Sequence, residues 1–245
     1  MAVTPGPTHV APSRRRIRAV ADRLRREQGL PGPVTVLPPL DELIATVLSQ
    51  HTSDHNSHRA FAELKARFPT WDRALAAPTS ELADAIRSGG IADQKAARIQ
   101  RILSAVLERE GRLDLERLAC VPDAEIDAYL RSLPGVGPKT AACVLAFSLG
   151  RPAFPVDTHV HRVVARLGWI EPRWTAEQTY AELEPRIPPE LRLQLHLALI
   201  THGRTVCVAG RPRCERCVLR DLCAYGRARP YTRAPTARSA KTSAM

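Results

Sequence analysis

The sequence predicts an all-α protein, and three observations carry that expectation. Apolar residues recur at helical spacing: Leu40, Leu43, Ile44, Val47 and Leu48 form one stripe, and Ile99, Ile102, Leu103, Val106 and Leu107 form another. Gly and Pro fall between such runs, where helices stop and start. No stretch alternates apolar and polar residues as a half-buried strand does.

In chain order, residues 1–16 carry Pro5, Pro7 and Pro12 and read as a flexible arm. Residues 14–27, dense in arginine, read as a basic helix that Pro31, Pro33, Pro38 and Pro39 bring to an end. Thr79 or Ser80 is expected to cap a helix running to Gly89-Gly90, and Asp93 to cap one running to Gly111. Residues 126–132 and 138–149 read as two helices joined by a tight turn. Cys120 and Cys143 fall in helical patterns and read as small core residues. Residues 227–245 hold five basic residues and no acid, and read as a disordered basic tail.

The chain has 245 residues, enough to bury a core without covalent staples. Its 36 Lys+Arg against 25 Asp+Glu give a net charge of +11, which suits a polyanionic partner. Residues 1–16 lack the apolar region of a secretory signal, and no run approaches the roughly 18 apolar residues a membrane helix needs. A soluble cytoplasmic protein with no membrane partner, acting as a monomer on the nucleoid, is therefore expected. Only four lysines occur: Lys65, Lys95, Lys139 and Lys241. Arginine stays protonated and cannot serve as an amine nucleophile, so a lysine in a chemical setting is informative here.

Lys139 has such a setting. It follows the turn Leu133-Pro134-Gly135-Val136-Gly137-Pro138, where two glycines let the backbone approach a partner closely. Pro138 suits the first turn of a helix, and the free N–H groups there can face a phosphate. Eighteen residues on, Asp157 lies in Pro155-Val156-Asp157-Thr158-His159. Read alone, it caps the helix that starts near Thr158. Cys207, Cys214, Cys217 and Cys223, spaced C-x6-C-x2-C-x5-C, form a four-thiolate site whose spacing admits zinc or iron–sulfur.

Together these motifs resemble the endonuclease III family of the helix-hairpin-helix DNA glycosylases, over residues 40–225. The resemblance implies that Lys139 attacks the sugar C1′ of a damaged nucleotide and that Asp157 is the second catalytic residue. It implies a [4Fe-4S] cluster on the four cysteines, with Arg211 and Arg213 presenting a basic face to DNA. Gly135, Val136, Gly137 and Thr140 become the hairpin's DNA contacts. Ile91, in Gly90-Ile91-Ala92-Asp93-Gln94-Lys95, takes the place of a leucine that wedges the duplex. The family's gap-filling glutamine falls in register on His51, with Gln50 beside it, and this departure leaves lesion and partner-base preference open.

The implied fold is a two-domain helix-hairpin-helix glycosylase with a DNA groove between the domains. A six-helix barrel domain spans 35–151, with the hairpin at 126–149, and a cluster domain combines 17–34 with 152–226. The implied partner is duplex DNA carrying a damaged base or abasic site. The implied activity is removal of oxidised pyrimidines followed by strand cleavage. A monofunctional mismatch glycosylase and a non-enzymatic DNA clamp are the alternatives; Lys139 argues against the first, and the Lys139–Asp157 pair and the cysteine cluster argue against the second.

Overall fold

The computed structural model describes residues 9–29, 32 and 35–228. Most of the expected arm, Pro31, Pro33 and the basic tail beyond Ala228 lie outside the described residues. Helices α1 (Arg14–Gln28), α2 (Pro39–Ser49), α3 (Asp54–Arg67), α4 (Trp71–Ala76), α5 (Thr79–Ala85), α6 (Ala92–Glu110) and α7 (Asp123–Arg131) come first. Then follow α8 (Pro138–Cys143), α9 (Thr158–Leu167), α10 (Ala176–Leu183), α11 (Arg192–Thr205) and α12 (Ala224–Arg227). No strand occurs among the described residues.

Two hydrophobic cores result. The first is built from α2 to α8, with Leu43, Ile44, Val47, Ile99, Ile102 and Val106 fully buried, as the two helical stripes require. The second joins Ile17, Val20 and Leu24 of α1 to residues from Phe154 to Cys223, with Trp169 at its centre. Ser13 caps α1 by accepting from Arg16 N–H at 3.3 Å. Arg16 in turn donates to the Leu222 carbonyl at 2.6 Å, and Arg23 pairs with Asp221. One face of α1 is thus apolar, and two of its arginines, Arg16 and Arg23, are spent on the cysteine-bearing segment.

Local signals misplaced several boundaries. The cap position of α5 is Pro78, and the helix stops at Ala85, giving way to a 3-10 turn at Arg87–Gly89. Asp93 does not cap α6. That position belongs to Ile91, whose backbone is left-handed at φ +42°, while Asp93 sits in the first turn and favours the helix dipole. Cys120 is exposed at the end of a 3-10 turn rather than in the core, whereas Cys143 is buried. The first hairpin helix begins at Asp123, and the second is α8 continued by a π turn at Val144–Ser148. Among the described residues no helix is long and apolar enough to cross a membrane.

Candidate active site

The hairpin between α7 and α8 is anchored from inside and open outside. Leu133 and Val136 are buried, and Val136 N–H turns inward to the Leu133 carbonyl at 3.2 Å. Gly135 takes φ +74° and is exposed. A Cβ there would lie 2.9 Å from Nε of Arg98 on α6, so glycine serves both the backbone angle and this approach. Gly137 precedes α8, with its carbonyl receiving Thr140 and Ala141 N–H at 3.0 Å each. Among the described residues the N–H groups of Gly135, Gly137 and Lys139 meet no backbone acceptor, which leaves donors available to a partner. Thr140, expected at the DNA, is instead buried, with its hydroxyl receiving Gln50 Nε2–H at 3.4 Å.

Lys139 is half-buried in the first turn of α8, and its charge acts on the buried Cys143 thiol one turn on. Burial pushes that thiol up. Asp157 caps α9, with Oδ1 receiving Val160 N–H at 2.7 Å. The capping role is therefore present, and it leaves the second oxygen free for other work. Lys139 and Asp157 both act on Cys143 and on His196 of α11, so side chains from the two cores converge on common neighbours. His196 is buried, with Nδ1–H donating to the Pro155 carbonyl at 2.7 Å. Burial pushes it down to about 4, so it stands as a neutral imidazole. Glu42 of α2 also feels Lys139; burial pushes its carboxyl up to about 7, opposed by the Thr46 hydroxyl and by Lys139. Glu42 and His196 carry no motif, and nothing in the sequence distinguished them from a first-turn acid and a core histidine.

Two loops flank this centre. Among the described residues, only His51 (φ 54°) and Ile91 (φ 42°) are non-glycine residues with positive φ, and both are exposed. Left-handed backbone is costly for side chains like these and survives where surrounding contacts impose it. Lys95 supplies such contacts. It is 1% exposed, and Nζ donates to the carbonyls of Leu48 at 2.7 Å and Gly89 at 2.8 Å, tying both loops to α6. Gln50 is held from two sides, because Arg98 Nη1 donates to its Oε1 at 2.6 Å while its own amide reaches Thr140. His51 is thus left as the outward-facing residue of the pair.

Cys207, Cys214, Cys217 and Cys223 line one cavity with Arg166 and His202, and the four thiols influence one another. Burial pushes Cys217 up to about 11 and also raises Cys223, so thiolates at these two positions need a positive partner. Donors around the sulfurs suit a cluster. Arg166 Nη1 lies 3.3 Å from Cys207 Sγ, and Gly226 N–H donates to Cys223 Sγ at 3.3 Å. Among the described residues no three His, Cys, Asp or Glu side chains are grouped as ligands of a single ion. Arg211 is exposed on this segment; Arg213 is exposed too, with Nη1 turned to the Thr205 carbonyl at 3.0 Å.

A helical hairpin beside a lysine and an aspartate shared by two cores defines a DNA-repair class of protein. In agreement, residues 44–189 match the model of the HhH-GPD superfamily base excision DNA repair proteins, and residues 207–223 match the iron–sulfur binding domain of endonuclease III. Endonuclease III of Thermotoga maritima is 38% identical over 191 residues, covering 78% of this chain and 85% of the relative. An Arabidopsis thaliana protein with a provisional DNA glycosylase name is 45% identical over 165 residues, 67% of this chain, which spans 56% of that relative's length. A solved covalent intermediate of an endonuclease III with DNA holding an estranged adenine superposes with a TM-score of 0.76. Its identity is 32%, covering 89% of this chain and 98% of that one. The chain belongs to the endonuclease III family, a family of base excision repair DNA glycosylases and AP lyases, and carries its [4Fe-4S] domain.

Proposed function

We propose that the chain removes oxidised pyrimidines such as thymine glycol from duplex DNA and then cleaves 3′ to the abasic site, with Lys139 as nucleophile. The observation that carries this reading is the convergence of Lys139 and Asp157 on Cys143 and His196, beside an open hairpin. The Lys139 amine forms a bond to C1′ as the C1′–base bond breaks and its electron pair leaves with the base. Loss of a proton and ring opening give a Schiff base, whose acidified C2′ proton permits β-elimination of the 3′ phosphate. The free oxygen of Asp157 stabilises positive charge developing on the sugar as the base departs. Ile91 enters the stack as the base flips out, and His51 meets the orphaned partner. The outward N–H groups of Gly135 and Gly137 grip a phosphate. The cluster cysteines hold the loop carrying Arg211 and Arg213 in place against the backbone.

A relative 32% identical to this chain is known as a trapped covalent intermediate with DNA, which supports the chemistry. The test is borohydride reduction of the protein mixed with an abasic-site duplex. A covalent adduct in the wild type and none in Lys139→Gln, with DNA binding retained, is the expected result. Equal adduct from Lys139→Gln overturns the assignment.

A further inference from the structure

The turn after α2 carries Gln50 and His51 side by side, in opposite settings. Gln50 is half-buried with an extended backbone, at φ −66° and ψ 132°, whereas His51 is exposed at φ 54°. Both ends of the Gln50 amide are engaged. Its Oε1 accepts from Arg98 Nη1 at 2.6 Å, and its Nε2–H donates to the Thr140 hydroxyl at 3.4 Å. Thr140 is buried in α8, so a Gln50 that swung outward would leave a hydroxyl of the interior without this donor. The same Arg98 lies against the hairpin: a Cβ at Gly135 would fall 2.9 Å from its Nε and 3.0 Å from its Cδ. Lys95, one turn earlier on α6, holds the Leu48 carbonyl at the start of this turn. One half-buried side chain of α6 therefore touches both the open hairpin and the residue before His51.

We propose that Arg98 is a positioning residue for the orphaned base: by holding Gln50 against α8, it keeps Gln50 out of the gap left by the flipped base and sets His51 at a fixed distance from the hairpin. The proposal rests on the reading that His51 meets the orphaned partner. In that reading the hairpin places the DNA backbone and His51 places the base, and Arg98 is the side chain that joins the two. A left-handed residue such as His51 keeps its conformation only while surrounding contacts impose it. Loss of the Arg98 guanidinium frees the Gln50 amide oxygen and the face of Gly135 together. His51 then relaxes toward ordinary backbone angles and withdraws from the base.

The experiment uses a duplex with a reduced, uncleavable abasic analogue opposite 2-aminopurine, a base whose fluorescence is quenched by stacking and contact. Emission is read at saturating protein, so that differences in affinity drop out, for the wild type, Arg98→Ala, His51→Ala and the double variant. Arg98→Ala is expected to lose most of the quenching seen with the wild type, and His51→Ala to lose it as well. The double variant loses no more than His51→Ala alone, because Arg98 acts through His51. Arg98→Lys, which keeps a donor for the Gln50 oxygen, regains part of the quenching. Wild-type emission from Arg98→Ala overturns the proposal, as does a loss in the double variant equal to the sum of the two single losses. If Arg98→Ala does not fold, Gln50→Ala decides, and wild-type emission there overturns it. Unchanged emission from His51→Ala removes the reading of His51 at the orphaned base, and the role of Arg98 with it. Quenching lost in His51→Ala but kept in Arg98→Ala removes only the role of Arg98. The assignment of Lys139 is judged separately, by adduct formation in Lys139→Gln.

Discussion

His196 shows how a single buried side chain links stability to the proposed reactive centre. Its imidazole is neutral between Phe147 and Phe154, with Nδ1–H on the Pro155 carbonyl, two residues before Asp157. The unfolded chain takes up a proton near the ordinary histidine value, while the folded one resists down to about 4. The folded value is depressed, so the associated stability is complete above the unfolded value and declines as pH falls toward the folded one. Between about pH 7 and about pH 5 this costs about 2 kcal/mol. Denaturant melts at the two pH values should show that loss in the wild type and a smaller one in His196→Phe; an equal loss in both would refute the assignment. Lys139 and Asp157 were legible in the sequence because each sits in a motif at fixed spacing. His196 and Glu42 were not, because their importance comes from neighbours brought in by other helices.

At the scale of elements, α6 and its preceding turn illustrate what local rules miss. Asp93 has the right chemistry and spacing for a cap, yet the position falls to Ile91 in a left-handed conformation. Lys95 fixes that outcome by binding the Leu48 and Gly89 carbonyls, contacts that span distant residues and leave no trace in periodicity. The helical stripes of α2 and α6 were plain, since burial of one face is a property of spacing alone. Cys120 was misread because the same apolar pattern continues into an exposed 3-10 turn. Ile91→Gly should relieve the left-handed strain and stabilise the fold by about 1 kcal/mol, while slowing excision of an intact lesion. A thermal melt and a glycosylase assay check the two halves; unchanged excision would exclude Ile91 as the wedge. Lys95→Met orphans two buried carbonyls and should cost about 2 kcal/mol. Retention of full stability in that variant would show that the loops are held by other contacts.

For the molecule as a whole, the excess of 11 positive charges sets the strength of DNA attraction, but its distribution sets its use. Many arginines of the second core are turned inward. Arg166 donates to the Val208 and Ala209 carbonyls at 2.7 and 2.8 Å, and Arg162 to the Gly203 carbonyl at 2.8 Å. These bonds shape the cysteine segment, which a count of charges cannot distinguish from phosphate contacts. Arg211 is exposed on the same segment, whereas Arg166 reaches a cysteine sulfur. The two arginines should therefore fail differently. Arg211→Ala should keep the visible absorbance of the cluster, weaken binding alike for all sequences, and reduce the slope of log affinity against log salt by about 1. Arg166→Ala removes support from Cys207, Val208 and Ala209 together, and should lose absorbance along with DNA affinity. Binding titrations at several salt concentrations, paired with absorbance spectra, separate the two cases. An unchanged salt slope in Arg211→Ala would mean that the cysteine segment does not meet the DNA backbone through this residue. Intact absorbance in Arg166→Ala would mean that the four thiolates alone hold the cluster.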